Sequence, residues 1–189
     1  MRSVPVTATV ITHNEAANLR AALESLSWAD EIVVVDSQSS DHTVAIAREF
    51  TDKVTVRPWP GYVEQKNFAA AQASHDWIFS LDADERVSPA LAEEIAGLVM
   101  EGPPAPGYRV PRVTFHLGRW IRSTDWYPDY QLRFYDRRHA RWTGRLVHES
   151  VKADGPVVDL RGELLHYAYR DLAHHVQTMD RYTSLAARQ

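Results

Sequence analysis

The feature that most constrains this chain is the regular exchange of two apolar periodicities over its first hundred residues. Val6 to Ile11 alternates as a strand does, and Glu15 to Ser27 then carries Leu19, Leu23 and Leu26 at helical spacing. Thr12 and Glu15 stand at capping-box spacing just before that helix. Ile32-Val33-Val34-Val35 is wholly apolar, as suits a parallel strand covered on both faces. Ser40 or Asp41 can cap a second helix running to Phe50. Lys53 to Arg57 reads as a third strand, Tyr62 to Ala73 as a third helix and Trp77 to Leu81 as a fourth strand. Ser88-Pro89 opens a fourth helix with a cap and a first-turn proline. This order predicts a parallel, open α/β sheet, which takes its ligands at the carboxyl ends of the strands.

The polar residues gather at those ends. Thr12-His13-Asn14-Glu15 follows the first strand, Asp36-Ser37 the second and Asp82-Ala83-Asp84-Glu85 the fourth. An acid at the end of a second parallel strand suits a ribose hydroxyl or a base N–H. Asp82 and Asp84 alternate along an extended segment, so they can converge on one hard cation. Crowded carboxylates are unfavourable unless a cation or donors compensate, although a capped turn is the plainer source of an isolated Asp-x-Asp. A dinucleotide enzyme is disfavoured, because Thr12–Glu15 stands where a glycine-rich phosphate loop would be, and no Walker pattern occurs. Cysteine is absent, which excludes a disulfide scaffold, thiolate metal sites and a cysteine nucleophile, and fits a reducing compartment.

Glu101-Gly102-Pro103-Pro104-Ala105-Pro106-Gly107 breaks the alternation and divides the single expected domain into two parts. Beyond it, Tyr108–Phe115, Gln131–Tyr135 and Arg145–His148 read as strands joined by irregular loops. Asp171–Ala187 reads as a last helix with Leu172, Val176, Met179 and Tyr182 as its apolar stripe. The chain stops near the end of that helix without a closing signal, as a truncated chain would. Charge divides in the same way. Residues 1–106 hold seven basic and 16 acidic side chains, and residues 107–189 hold 14 and nine. The net charge of −4 argues against a generic nucleic-acid binder, while the basic second part is expected to meet something anionic.

Residues 107–145 contain nine arginines, three aspartates and neither lysine nor glutamate, interleaved with Trp120, Trp126, Tyr127, Tyr130 and Trp142. Arginine forks bind phosphate bidentately and aromatic rings stack on sugars or bases; an arginine-rich sheet edge over core aromatics is the plainer alternative. Asp129 should stay ionised among these neighbours. His148, Glu149 and His166 are further candidates, although a lone histidine is more often a packed residue. His174 and His175 lie about 100° apart on a helix, so they are not expected to share a metal.

The ordered set Thr12-His13-Asn14-Glu15, Val34-Val35-Asp36-Ser37 with Ser39 and Asp41, Gln65-Lys66-Asn67 and Leu81-Asp82-Ala83-Asp84-Glu85 resembles family 2 glycosyltransferases. Trp126-Tyr127-Pro128-Asp129-Tyr130-Gln131-Leu132-Arg133, Val147-His148-Glu149-Ser150 and Leu165-His166-Tyr167 are similar to the lipopolysaccharide core β-1,4-glucosyltransferase branch. The resemblance covers nearly the whole chain. It implies an α/β protein of GT-A fold: one domain over residues 1–189, with a Rossmann-like nucleotide-sugar half (1–101), a mixed central sheet and an acceptor half (107–189). It implies an inverting, metal-dependent hexosyltransferase using Mg²⁺ or Mn²⁺, a UDP- or ADP-linked donor and a lipopolysaccharide inner-core acceptor. A polyprenyl phosphate, capsule or peptide acceptor is the alternative within the class.

The resemblance also distributes roles. Thr12, Asn14, Glu15, Asp36 and Ser37 would hold the base and ribose, Lys66 would lie near the diphosphate or its ribose, and Asp82 with Ala83 would border the donor. Asp82 and Asp84 form the Asp-x-Asp metal pair, with Asp84 the more direct contact, and His166 or else His148 completes it. The family's base is often the aspartate of a Glu-Asp motif three residues before a leucine. Asp129 and Leu132 keep that spacing with Pro128 in place of the glutamate, and Glu149 is the rival. The residue types suit the chemistry: a departing diphosphate needs positive charge, and an acceptor hydroxyl needs one carboxylate within hydrogen-bond reach.

No apolar run is long enough to span a bilayer. The lipopolysaccharide precursor that the resemblance implies is an anionic lipid at the cytoplasmic leaflet. The expected location is therefore cytoplasmic, with the arginine stretch and Trp120, Ile121 and Trp126 resting on that membrane at its inner face. In the competing reading, the arginines turn inward to the diphosphate or to Asp125, Asp129 and Asp136. A non-catalytic module of the same fold, binding RNA or a protein, is the alternative from another class. Nucleic acid is not the expected partner.

Overall fold

The computed structural model describes residues 4–144, 149–169 and 171–186. His148, with the strand expected over 145–148, lies outside the described residues. The first half runs β1 (Val6–Thr12), α1 (Leu19–Glu24), β2 (Glu31–Asp36), α2 (Thr43–Ala47), β3 (Val54–Val56), α3 (Tyr62–Ala71) and β4 (Trp77–Asp82). A short β5 (Glu85–Val87) and α4 (Pro89–Glu101) follow. The second half supplies β6 (Gly107–His116), β7 (Arg119–Ile121), a 3-10 turn (Thr124–Trp126), β8 (Asp129–Asp136) and β9 (Ala140–Thr143). It closes with β10 (Ser150–Ala153), β11 (Val157–Asp159), β12 (Leu164–His166) and α5 (Leu172–Ala186).

One mixed sheet joins the halves in the order β3-β2-β1-β4-β8-β6-β12-β5. The first four strands are parallel, as the alternation requires. The sheet turns mixed where β8 runs antiparallel to β4, with Trp77 opposite Asp136 and Phe79 opposite Phe134. β6 then pairs antiparallel with β8, and β12 parallel with β6, placing His166 opposite Thr114. β5 runs antiparallel to β12 with Glu85 opposite His166. A strand of only three residues thus brings the segment after β4 beside the last strand of the second half. The pair β9–β10 stands apart as a small second sheet.

Covered strands bury consecutive residues, and Val33, Val34 and Val35 are all buried. Leu19, Leu23 and Leu26 pack with Ala8, Val10, Phe79 and Leu81 in the main core, which crosses into the second half through Tyr108, Val110 and Phe134. Ser88 caps α4 by accepting from the Leu91 amide, with Pro89 in the first turn.

Neither Ser40 nor Asp41 is the cap of α2, which follows His42 without a side-chain cap and ends at Ala47 rather than Phe50. Two further local expectations fail. Thr12 and Glu15 form no capping box, because Thr12 still belongs to β1 and α1 begins only after Asn18. The Glu15 carbonyl accepts from the Asn18 and Leu19 amides instead. The residues between are spent on a loop in which Asn14 takes φ 54°, a left-handed conformation that asparagine tolerates better than most. The second departure is α5, whose Leu172, Val176 and Met179 are exposed rather than buried. Periodicity correctly predicts that the segment is a helix, but the described residues put no partner against that stripe.

The approach to β12 depends on Gly162. A Cβ there would stand 2.3 Å from the Leu91 Cα and 2.5 Å from its nitrogen. Glu94 of α4 fixes the same segment by accepting from the Arg161 and Gly162 amides at 3.0 and 2.8 Å. Gly162→Ala must push β12 off α4, so we expect a loss of about 1–3 kcal/mol in urea unfolding. An unchanged midpoint and slope would show that the segment has slack the packing does not suggest.

Candidate active site

The segment after β4 is built around a buried cation. Arg133 of β8, 2% exposed, donates from Nη2 to Asp82 Oδ2 and to Glu85 Oε1, each at 2.7 Å. Glu85 is fully buried, and its other oxygen accepts from the Asp82 amide at 3.1 Å. Lys66 of α3, 3% exposed, reaches Asp82 Oδ1 at 3.0 Å and Glu149 Oε1 at 3.6 Å. Both cations rest on one indole: Lys66 Nζ lies 4.1 Å and Arg133 Cζ 5.8 Å from the centroid of Trp142. Burial alone would disfavour an Asp82 carboxylate, yet Arg133 and Lys66 hold its pKa far below the usual range and keep it ionised.

Arg112 of β6 extends the network. It donates from Nε and Nη2 to Asp129 Oδ2 at 2.8 and 2.5 Å, and reaches Glu85 from Nη1 at 3.3 Å. Gln131 donates to the other Asp129 oxygen at 2.6 Å. The result is an alternating chain of charges from Glu149 through Lys66, Asp82, Arg133, Glu85 and Arg112 to Asp129.

Asp84 pairs with His166 rather than with a cation of this chain. Its Oδ2 lies 3.3 Å from His166 Nε2, while His166 Nδ1 lies 3.3 Å from the Thr114 hydroxyl. Burial works against the Asp84 anion, but its interaction and hydrogen bond with His166 bring the pKa below the ordinary carboxylate value, opposed by Asp82 and helped by Arg112. The donor set fits a hard divalent ion. Octahedral bonds of about 2.0–2.2 Å set neighbouring ligand atoms about 3 Å apart, close to the separation here. Thr114 also orients the ring through its second nitrogen. Among the described residues no group of three or more His, Asp or Glu side chains is assembled for a metal, so such an ion would need phosphate and water to fill its shell. Asp82, already shared by two cations, has less to offer it.

The ends of β1 and β2 form the adjoining loop cluster. Asp36 is fully buried and accepts from the Ser39 amide at 2.8 Å and from the Ser39 hydroxyl. Ser39 in turn accepts from the Asn14 amide, and Asn14 Oδ1 accepts from the Ser40 amide, each at 2.8 Å. Glu15 donates its amide to Thr43 at 2.8 Å and accepts from Asn18 with its side chain. Ser37 accepts from Gln65 at 3.0 Å, and its amide donates to the Thr12 carbonyl. Thr12 and Ala83 are buried, the latter in the main core as the spacer between the two aspartates.

Sequence reasoning singled out Glu85 only as a crowded carboxylate and Arg133 only as part of a motif. Nothing in the local sequence pattern marks either as buried. Arg133 begins the wholly buried run of β8, where an unpaired cation would be prohibitive, so an acid had to meet it.

The match to the family model for glycosyl transferase family 2 runs over residues 7–152, from β1 to β10. The chain belongs to that family. It is 34% identical over 193 residues to the lipopolysaccharide core biosynthesis glycosyltransferase LpsC of Rhizobium meliloti, covering 98% of this chain and 72% of that protein. An uncharacterised glycosyltransferase of Rickettsia typhi, RT0209, is 31% identical over 95% of this chain and 65% of its own length. Among solved structures, the mannosyltransferase PcManGT of Pyrobaculum calidifontis, in complex with GDP-Man and Mn²⁺, superposes with a TM-score of 0.64. It shares 17% identity and covers all of this chain and 66% of that one. The S. aureus TarS structure gives 0.51 at 22% identity, covering 62% of this chain and 38% of its own. These likenesses show the fold, which is GT-A.

Removing Arg133 takes the closest cation from the fully buried Glu85, leaving it Arg112 at 3.3 Å, and leaves Asp82 with Lys66 alone. Arg133→Met is expected to cost about 3–5 kcal/mol in urea unfolding at pH 7. The Asp82 share has a definite sign. Its folded pKa is held far below the unfolded value of about 4, so the contribution is full above that value and is lost as pH falls well below it. The difference between wild type and Arg133→Met should therefore hold from pH 7 to about pH 4 and narrow as pH falls from about 4 toward 2. A gap that stays constant over that lower range would mean the loss is packing rather than charge.

Proposed function

We propose that this protein transfers a hexose from a nucleotide sugar to a sugar of the lipopolysaccharide inner core, with inversion, at the inner face of the membrane that carries the acceptor. The observation that carries this reading is the Asp84–His166 pair beside the Asp82–Lys66 pair at the carboxyl end of β4, two steps across the sheet from Asp36. The LpsC relative supports the acceptor class, since it is a lipopolysaccharide core glycosyltransferase by name.

In this reading the loop cluster of Thr12, Asn14, Glu15, Asp36 and Ser37 receives the nucleoside. Asp36, with both oxygens given to Ser39, acts first by holding that loop in shape. Asp84 and His166 would hold Mg²⁺ or Mn²⁺, which supplies positive charge to the departing diphosphate. Lys66 adds a second positive charge from the Asp82 side, steadied by Glu149 and the Trp142 ring. Inversion requires the base to face the sugar opposite the leaving group. Glu149 lies beside Lys66, on the leaving-group side, whereas Asp129 sits at the far end of the charge chain. Asp129 is therefore the better base. Arg112 and Gln131 fix its orientation, and it takes the proton of the acceptor hydroxyl.

The membrane role of the arginines shrinks in this account. Arg109, Arg112, Arg122, Arg133, Arg137 and Arg138 are all in ion pairs with carboxylates of the protein. Arg119 and Arg141 are the exposed arginines of that stretch with no ion pair among the described residues. At about 1 kcal/mol each they would hold a membrane weakly, so the lipid-linked acceptor itself supplies the contact. Among the described residues no helix is long and apolar enough to cross a membrane.

The test is turnover with UDP- and ADP-linked hexoses on delipidated core oligosaccharide in Mn²⁺. Asp84→Ala should lower kcat by at least about 100-fold with the thermal midpoint retained. His166→Ala should raise the Mn²⁺ needed for half-maximal rate. Near-normal turnover of Asp84→Ala at saturating Mn²⁺ would remove the proposed metal site.

A further inference from the structure

A second cluster lies along β6 from the site. In a strand, alternate side chains share one face, and Arg112, Thr114 and His116 are such alternates. Arg112 holds the proposed base and Thr114 holds His166. His116 instead enters a group of four rings brought together from four separate segments. Its ring centroid lies 4.8 Å from His175 of α5, 5.4 Å from Tyr169 and 5.5 Å from Trp126. Tyr169 and His175 are stacked at 4.0 Å with 27° between their planes. Trp126 closes the group at 6.1 Å from His175 and 6.4 Å from Tyr169.

The cluster's attachment to the site is its main interest. Trp126 stands three residues before Asp129, and Tyr169 three residues after His166. Advancing two residues from Thr114 to His116 moves about 7 Å along the strand, roughly one sugar ring beyond the metal and base positions. Trp126 is 37% exposed, although it is the largest ring of the four. An indole backed by rings and open on one side presents a rigid apolar surface at little entropic cost, which suits the carbon face of a pyranose.

We infer that Trp126, backed by His116, Tyr169 and His175, is the stacking platform for a neutral pyranose of the acceptor, the unit next to the one that receives the hexose. The inference rests on the proposed glycosyl transfer and adds where the acceptor chain lies and what reads it. Recognition of a second sugar would explain why four segments, including α5, converge on one exposed ring.

Calorimetric binding of UDP with Mn²⁺, then of delipidated lipopolysaccharide core oligosaccharide to the UDP–Mn²⁺ complex, tests it on the full chain. Trp126→Ala and Trp126→Leu should each weaken oligosaccharide binding by about tenfold or more, and Trp126→Phe by less than about threefold, with UDP affinity preserved. The leucine variant keeps apolar bulk without a ring face, so it separates stacking from simple packing. Oligosaccharide binding undiminished in the leucine variant would overturn the platform. So would a wild-type chain that binds UDP but not the oligosaccharide, and the nucleotide-sugar reading would then survive. A wild-type chain that binds neither would take down the proposed function and this subsite with it.

Discussion

Arg133 donates through one nitrogen to both Asp82 and Glu85 in a place almost closed to water, and much of the molecule is arranged around that contact. Among the described residues Arg133 is the one cation that touches both carboxylates, which otherwise keep only Lys66 on Asp82 and Arg112 on Glu85. The guanidinium arrives on β8, which lies antiparallel to β4 through Trp77–Phe79. Sheet register and the buried ion pair therefore support each other. With Glu85 fixed, the turn through Ala83 and Asp84 has little freedom, and Asp84 is left facing His166 on β12.

The uneven charge of the two halves has an internal reason. The acidic first half offers Asp76, Asp82 and Glu85, and the basic second half answers with Arg137, Arg138, Arg133 and Arg112. Charge in the second half thus goes first to binding the halves together. The same ion pairs leave Asp129 and Glu149 at opposite ends of one chain of alternating charge, which is what separates their proposed roles.

The parallel half was largely legible because covered strands and amphipathic helices have strong signatures. Val33–Val35 and the leucines of α1 declare themselves, and the cap at Ser88 is found where the sequence places it. The second half was less legible. β5, β7, β11 and β12 have three residues each, too few for any period to show, and their places are set by partners far away in sequence. The exposure of Leu172, Val176 and Met179 also defied the pattern, since periodicity identifies a helix face without supplying its neighbour. Within the site, residue types and strand ends pointed to Asp82, Asp84 and Asp36. The role of Glu85 and Arg133 emerged only when β8 was seen to lie against β4.

The most direct test of this account is a crystal structure of the chain with UDP and Mn²⁺. The account predicts Mn²⁺ bound by Asp84 and His166 together with the diphosphate, and Asp82 still held by Arg133 while Lys66 turns toward the phosphates. Mn²⁺ bound by Asp82 with the Arg133 contact broken, or a diphosphate seated away from Lys66, would contradict it.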